Sequence, residues 1–129
     1  MKFKIFPSAL YKGLDLSKRC KGKVSLDSAE TLVVASVKEG CIFVANGNSD
    51  MDVQVRIKCD VVEDGSIIVP TAPLWRLLPK MLKELVTIER VAPPDESPRL
   101  LIEATSSNWV IYGSDEGKLS LASYCAITG

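Results

Sequence analysis

Histidine is absent from all 129 residues. That removes the commonest general base, the usual activator of a serine or cysteine nucleophile, and the commonest metal ligand. The four cysteines, Cys20, Cys41, Cys59 and Cys125, include no C-x-x-C pair, whereas a structural zinc site wants closely paired ligands. Cys41 and Cys59 fall in apolar, strand-like runs, so the cysteines read as reduced residues that fill apolar space. No apolar run approaches the roughly 20 residues that span a bilayer. Met1-Lys2-Phe3-Lys4 leads only into a short apolar patch, not the longer one of a secretion signal. A cytoplasmic protein with no membrane partner is expected. Net charge is also lacking, with 16 basic residues against 16 acidic, so the whole-chain balance names no partner. What remains is 47% hydrophobic and 25% charged, which excludes a disordered tail, a collagen-like repeat and a coiled-coil rod. At this length about two-thirds of the surface can be buried on folding, enough for one ordinary domain with a core.

The pattern along the chain predicts a strand at Lys2–Phe6 and a helix from Ala9 to about Cys20, with Ser8 as N-cap. Leu10, Leu14, Leu16 and Cys20 share one apolar side of that helix. A basic loop from Lys21 to Ser28 follows. Strands are expected at Thr31–Val37 and Cys41–Ala45, joined by a Lys38-Glu39-Gly40 turn. The clearest strand is Met51–Val62, where Val53, Val55, Ile57, Cys59 and Val61 alternate with Gln54, Arg56, Lys58 and Asp60. After the Asp64-Gly65 turn the pattern restarts. Ser66–Val69 is a short strand, and Pro70-Thr71-Ala72-Pro73 opens a second helix, with Thr71 as N-cap. Val86–Val91, Arg99–Thr105 and Asn108–Tyr112 read as strands, and Lys118–Tyr124 as one more than the repeat requires. The order strand, helix, three strands thus occurs twice, over about 1–63 and 64–129 of a single domain. Two helices against mostly antiparallel strands make an α+β fold.

Charge is segregated between these elements. Ser8–Ser25 and Thr71–Glu84 hold Lys12, Lys18, Arg19, Lys21, Lys23, Arg76, Lys80 and Lys83, eight of the 16 basic residues, against only Asp15 and Glu84. The helical layer is therefore near +6 and the remainder near −6. On the second helix Leu74, Leu77, Leu78, Met81, Leu82 and Leu85 share one arc with Trp75 at its border, and Arg76, Lys80 and Lys83 lie opposite. Pro79 should kink or end that helix. A basic face of this kind is either a solvated surface or a sequence-independent contact for nucleic-acid backbone. Aromatic residues are not interleaved with the charge, which speaks against single-strand recognition by stacking. Trp75 and Trp109 read as core or interface residues.

Several segments are similar to one domain of the bacterial β sliding clamp, the processivity factor of the replicative DNA polymerase, and most to its N-terminal domain. Met1-Lys2-Phe3-Lys4-Ile5 resembles the family's start. Asn48-Ser49-Asp50-Met51-Asp52-Val53 resembles its Thr-Asp-Leu-Glu segment at the head of a long strand. Asp64-Gly65-Ser66-Ile67-Ile68-Val69-Pro70 resembles its Gly-x-x-x-Val-Pro-Ala approach to the second helix, and Arg99-Leu100-Leu101-Ile102-Glu103 a late strand. The duplicated β-α-β-β-β unit is the architecture of that clamp domain. The family's Thr-Leu-Pro-Ile-Leu segment after the first helix is replaced here by Ser25-Leu26-Asp27-Ser28-Ala29-Glu30.

The resemblance implies a ring around double-stranded DNA, with basic helices lining the hole and sheets forming the outer wall. It implies no catalysis and no cofactor, with a DNA polymerase and a clamp loader as protein partners. Clamps of this family carry three such domains per chain, so this sequence is either an excised domain or a compact clamp that assembles as a homo-oligomeric ring, a hexamer if complete. The family's peptide-binding pocket lies in other domains, and no residue here inherits it. The competing reading is an interaction module that pairs with a replication protein or a host clamp through a sheet edge without enclosing DNA. A small enzyme is disfavoured, because the candidate nucleophiles Cys20 and Ser114 have no histidine to activate them and Asp115-Glu116 reads as a turn.

Overall fold

The computed structural model describes residues 1–20, 30–46, 54–81, 84–105 and 107–114, with only the backbone described at 17–20, 46 and 81. The elements are β1 (Lys2–Ile5), α1 (Pro7–Cys20), β2 (Glu30–Ser36), β3 (Cys41–Asn46), β4 (Gln54–Lys58), β5 (Asp60–Glu63), β6 (Gly65–Pro70) and α2 (Thr71–Leu77). A 3-10 turn (Leu78–Met81), β7 (Val86–Val91), β8 (Arg99–Glu103) and β9 (Asn108–Tyr112) follow. The expected strand at Lys118–Tyr124 lies outside the described residues.

Two antiparallel sheets result. One has the order β5-β1-β7-β8-β9 and the other β4-β3-β2-β6. The repeat is exchanged between them. β1, which opens the first unit, pairs with β7 of the second unit, Ile5 opposite Val86. β6, which opens the second unit, pairs with β2 of the first, Val69 opposite Thr31. Neither unit can therefore complete its sheet alone, and the α+β expectation of a duplicated unit with two helices on antiparallel sheets holds.

The predicted strand Met51–Val62 is two strands. β4 pairs with β3 as far as Lys58 opposite Cys41. The chain then crosses to the other sheet at Cys59, whose amide donates to the Gly40 carbonyl at 3.3 Å. Asp60 and Val61 pair with Lys4 and Phe3 of β1. The alternation runs on through the break because both halves turn the same face to one core: Val55, Ile57, Cys59 and Val61 all pack on it. The second unit makes the same crossing after β9. Ser114 exchanges backbone hydrogen bonds with Ile68 of β6, at 2.8 and 3.0 Å. A Cβ on Gly113 would lie 2.5 Å from the Ile68 carbonyl, so the crossing requires glycine there.

The core lies between the sheets and under the helices, built from Phe3, Ile5, Val33, Ile42, Val44, Ile67, Val69, Ile88, Leu100 and Ile102 together with Leu10, Leu14, Leu74 and Leu78. Each such side chain contributes on the order of 1.5–3 kcal/mol when fully buried. Thr31 and Thr71 are the buried polar residues among those described. Their hydroxyls bond each other at 2.7 Å, tying β2 to the start of α2 and meeting the requirement that buried polar groups be paired. Thr71 is thus not the N-cap: Pro70 holds that position with an extended backbone, and Thr71 is the first helical residue.

Candidate nucleic-acid interface

Both helices start in the same way. Strand β1 ends at Ile5, Phe6 stands at the cap and Pro7 takes the first helical position, where its fixed φ suits the turn and its missing N–H costs nothing. The Phe6 carbonyl accepts the Ala9 amide at 2.9 Å. Ser8, expected as N-cap, lies inside the first turn. β6, Pro70 and Thr71 repeat this sequence of roles.

From that shared start the helices run residue for residue, the second member always 64 positions after the first (Leu74 against Leu10). Leu10 and Leu74 are both buried, as are Leu14 and Leu78. Tyr11 and Trp75 stack on each other with centroids 4.5 Å apart and planes inclined by 27°. Such a pair adds about 0.5–1.5 kcal/mol beyond its buried area. The stack joins the helices of the two units at equivalent points, where a two-fold axis would pass. Lys12 and Arg76 follow the stacked rings by one residue, and both are exposed. One turn further on, Leu16 and Lys80 are equivalent and also exposed. The helical layer therefore presents Lys12, Arg76 and Lys80 to solvent.

Two expectations fail here. Leu16 does not share the buried side of α1; it is 53% exposed. The second helix stops short of Glu84, as Pro79 led one to expect. It ends at Leu77 and tightens into the 3-10 turn, because Pro79 has no amide hydrogen to continue the ladder and crowds the preceding turn. Leu85, expected on the buried arc, falls beyond this turn and is 52% exposed. Lys80 keeps its exposure on the 3-10 turn. Lys18 and Arg19 lie on α1, where only the backbone is described. Lys21, Lys23 and Lys83 lie outside the described residues. Trp75 and Trp109 are half-buried and pack on the core, as expected.

Tyr11 was not legible as a partner for Trp75, since nothing in a single helix links them. The signal was the 64-residue spacing, visible only if the two helices are aligned on Pro7 and Thr71. Among the described residues the layer has neither a metal-holding group of His, Cys, Asp or Glu nor a helix long and apolar enough to cross a membrane. Of the candidate nucleophiles, Ser114 is half-buried at the sheet crossing, and of Cys20 only the backbone is described. Cys41 and Cys59 are free thiols, and burial, with Cys41 and Asp60 nearby, pushes the Cys59 thiol up to about 11. It stays protonated at neutral pH. Exposed cations on the helices suit sequence-independent charge contact with a phosphate backbone.

No protein-family model matches the sequence, and no curated protein matches it. Solved structures do match. The β sliding clamp of C. crescentus superposes with a TM-score of 0.73 at 21% identity, covering 94% of this chain and 32% of that one. The DNA polymerase III subunit beta of Pseudomonas aeruginosa gives 0.71 at 20% identity over 93% and 32%. The sliding clamp of Bartonella birtlesii gives 0.68 at 18% identity over 88% and 31%. The chain spans about a third of the length of these clamps, and its fold is that of one sliding-clamp domain.

Proposed function

We propose that this chain is a sliding-clamp-like processivity factor that encloses duplex DNA without catalysis and tethers replication proteins, a DNA polymerase and a clamp loader being the partners the fold suggests. The observation that carries this reading is the pair of equivalent helices, side by side, with Lys12, Arg76 and Lys80 facing out and both sheets behind them. Phosphates demand only sequence-independent charge from such a face, and a ring supplies the rest by topology. Further copies or further domains must complete the ring. The edges β4 and β9 occupy equivalent places in the two sheets, so β9 of one unit and β4 of the next can pair head to tail, and about six units close if the rotation closes. Such a ring works in the cytoplasm, beside the DNA.

The test separates enclosing from sticking. A protein bound by charge alone leaves as salt rises, whatever the form of the DNA. A closed ring stays on a closed circle and slides off a cut end. Protein placed on circular duplex, by an ATP-driven loader or by spontaneous opening, should be retained at moderate salt and lost promptly after one restriction cut. Equal retention on circular and linear DNA removes the ring and supports the interaction-module reading, which β4 and β9, the terminal strands of the two sheets among the described residues, also permit. A native mass showing a strict monomer at tens of micromolar argues against self-assembly of this chain.

A further inference from the structure

At the first sheet crossing, where β1 runs into α1 and β4 into β5, a recess of about 260 Å³ opens beside the half-buried Cys59. Phe6 and Leu85 wall it, each 52% exposed. Lys4, Lys58 and Asp60 line it as well and are exposed. Neither lysine has an ion-pair partner among the described residues.

The second crossing holds the equivalent recess, of about 300 Å³. The same backbone positions carry other side chains there: Pro70 in place of Phe6, Glu30 in place of Leu85, Tyr112 and Ser114 in place of Lys58 and Asp60. Because the second unit folds without them, two large apolar side chains in solvent at the first crossing are not a requirement of the fold. Exposing them is unfavourable by itself, and their place in one recess with two lysines points to a partner.

The volume is below the usual range for a drug-sized ligand and fits a single apolar side chain. Two lysines against one aspartate favour negative charge around that side chain. We propose that this recess docks a short acidic segment of a partner protein, with a leucine-type side chain seated between Phe6 and Leu85 and flanking carboxylates on Lys4 and Lys58. This stands apart from the DNA reading, since none of these residues belongs to the exposed row of the helical layer.

Two probe peptides test it: acetyl-Glu-Glu-Leu-Leu-Glu-Glu-amide, and the same peptide with lysine for each glutamate. Titrated into the full chain labelled with nitrogen-15, the acidic peptide should shift the amide signals of Phe6, Cys59 and Leu85 saturably. The basic peptide should bind at least about tenfold more weakly. Leu85→Ser should weaken the acidic peptide by at least about tenfold. Lys4→Glu with Lys58→Glu should reverse the preference between the peptides. These side chains are exposed, and an otherwise unchanged spectrum verifies that each variant is folded. No saturable shift, equal binding of both peptides, or shifts confined to β9 or to the helices would overturn the proposal, whatever the outcome with DNA.

Discussion

Ala45 on β3 and Glu103 on β8 occupy equivalent positions on the outer faces of the two sheets. Ala45 is 2% exposed, whereas Glu103 stands in solvent. The contrast extends across both faces. Leu32, Ala45 and Ile68 form a buried apolar cluster on the outside of the four-stranded sheet, with Val34 against it. Their equivalents on the five-stranded sheet are Thr87, Glu103, Lys4 and Glu89. The inner faces show no such contrast. Val33 matches Ile88, Ile42 matches Leu100, Val44 matches Ile102 and Ile57 matches Ile111, and all are buried. The duplicated backbone therefore demands apolar residues only on the side it encloses, and each copy has specialised the other side on its own.

The sharpest way to break this comparison is to exchange the outer residues. Ala45→Glu forces a carboxylate into a buried apolar face and should destabilise the fold on the order of 4 kcal/mol or more. Glu103→Ala, the reverse change at the equivalent place, should stay within about 0.5 kcal/mol. Urea unfolding of both variants measures the difference. Similar losses from both would mean that the two outer faces are not different environments.

A middle-sized effect is expected at the two crossings. Gly113→Ala sets a methyl group against the Ile68 carbonyl and within 3.0 Å of Ile67 and Val69 side-chain atoms. It should cost about 1–3 kcal/mol. Cys59→Ala, at the equivalent crossing, removes only a half-buried sulfur and should cost about 1 kcal/mol or less. Thermal melts of the two variants rank them, and a larger loss for Cys59→Ala would show that the crossings are not equivalent.

The smallest effect on stability belongs to the exposed cations of the helices, Lys12 and its equivalent Arg76. Lys12→Glu should change unfolding by no more than about 0.5 kcal/mol, and Arg76→Glu, which also gives up an interaction of the guanidinium, by no more than about 1 kcal/mol. Each should weaken DNA binding and reduce the salt slope by about one unit for every phosphate that is no longer neutralised. Equivalent placement makes the two reductions similar. Unchanged DNA affinity in both variants, at matched salt, would remove the helical layer as the DNA-facing surface.

Much of this was readable beforehand. The alternation of Val55, Ile57, Cys59 and Val61 marks residues that pack on the core. Pro79 announced the end of α2, and the basic content of the helical stretches announced a charged layer. Ser8 and Thr71 have N-cap chemistry, but Ser8 stands two positions after the cap at Phe6 and Thr71 one position after the cap at Pro70. Pro7 and the buried Thr31–Thr71 hydrogen bond give those two residues other roles.

Pattern and composition alone carry the order of strands and helices, the inward face of most strands, and the double occurrence of one strand-helix-strand order. Period and composition report these directly, since side chains alternate along a strand whatever lies beside it. The exchange of β1 and β6 between the units, the changes of sheet at Cys59 and Gly113, and the meeting of Tyr11 with Trp75 come from the folded chain. Those are choices of hydrogen-bonding neighbour and of packing partner across the chain, and an apolar pattern is the same for every neighbour that shares its core.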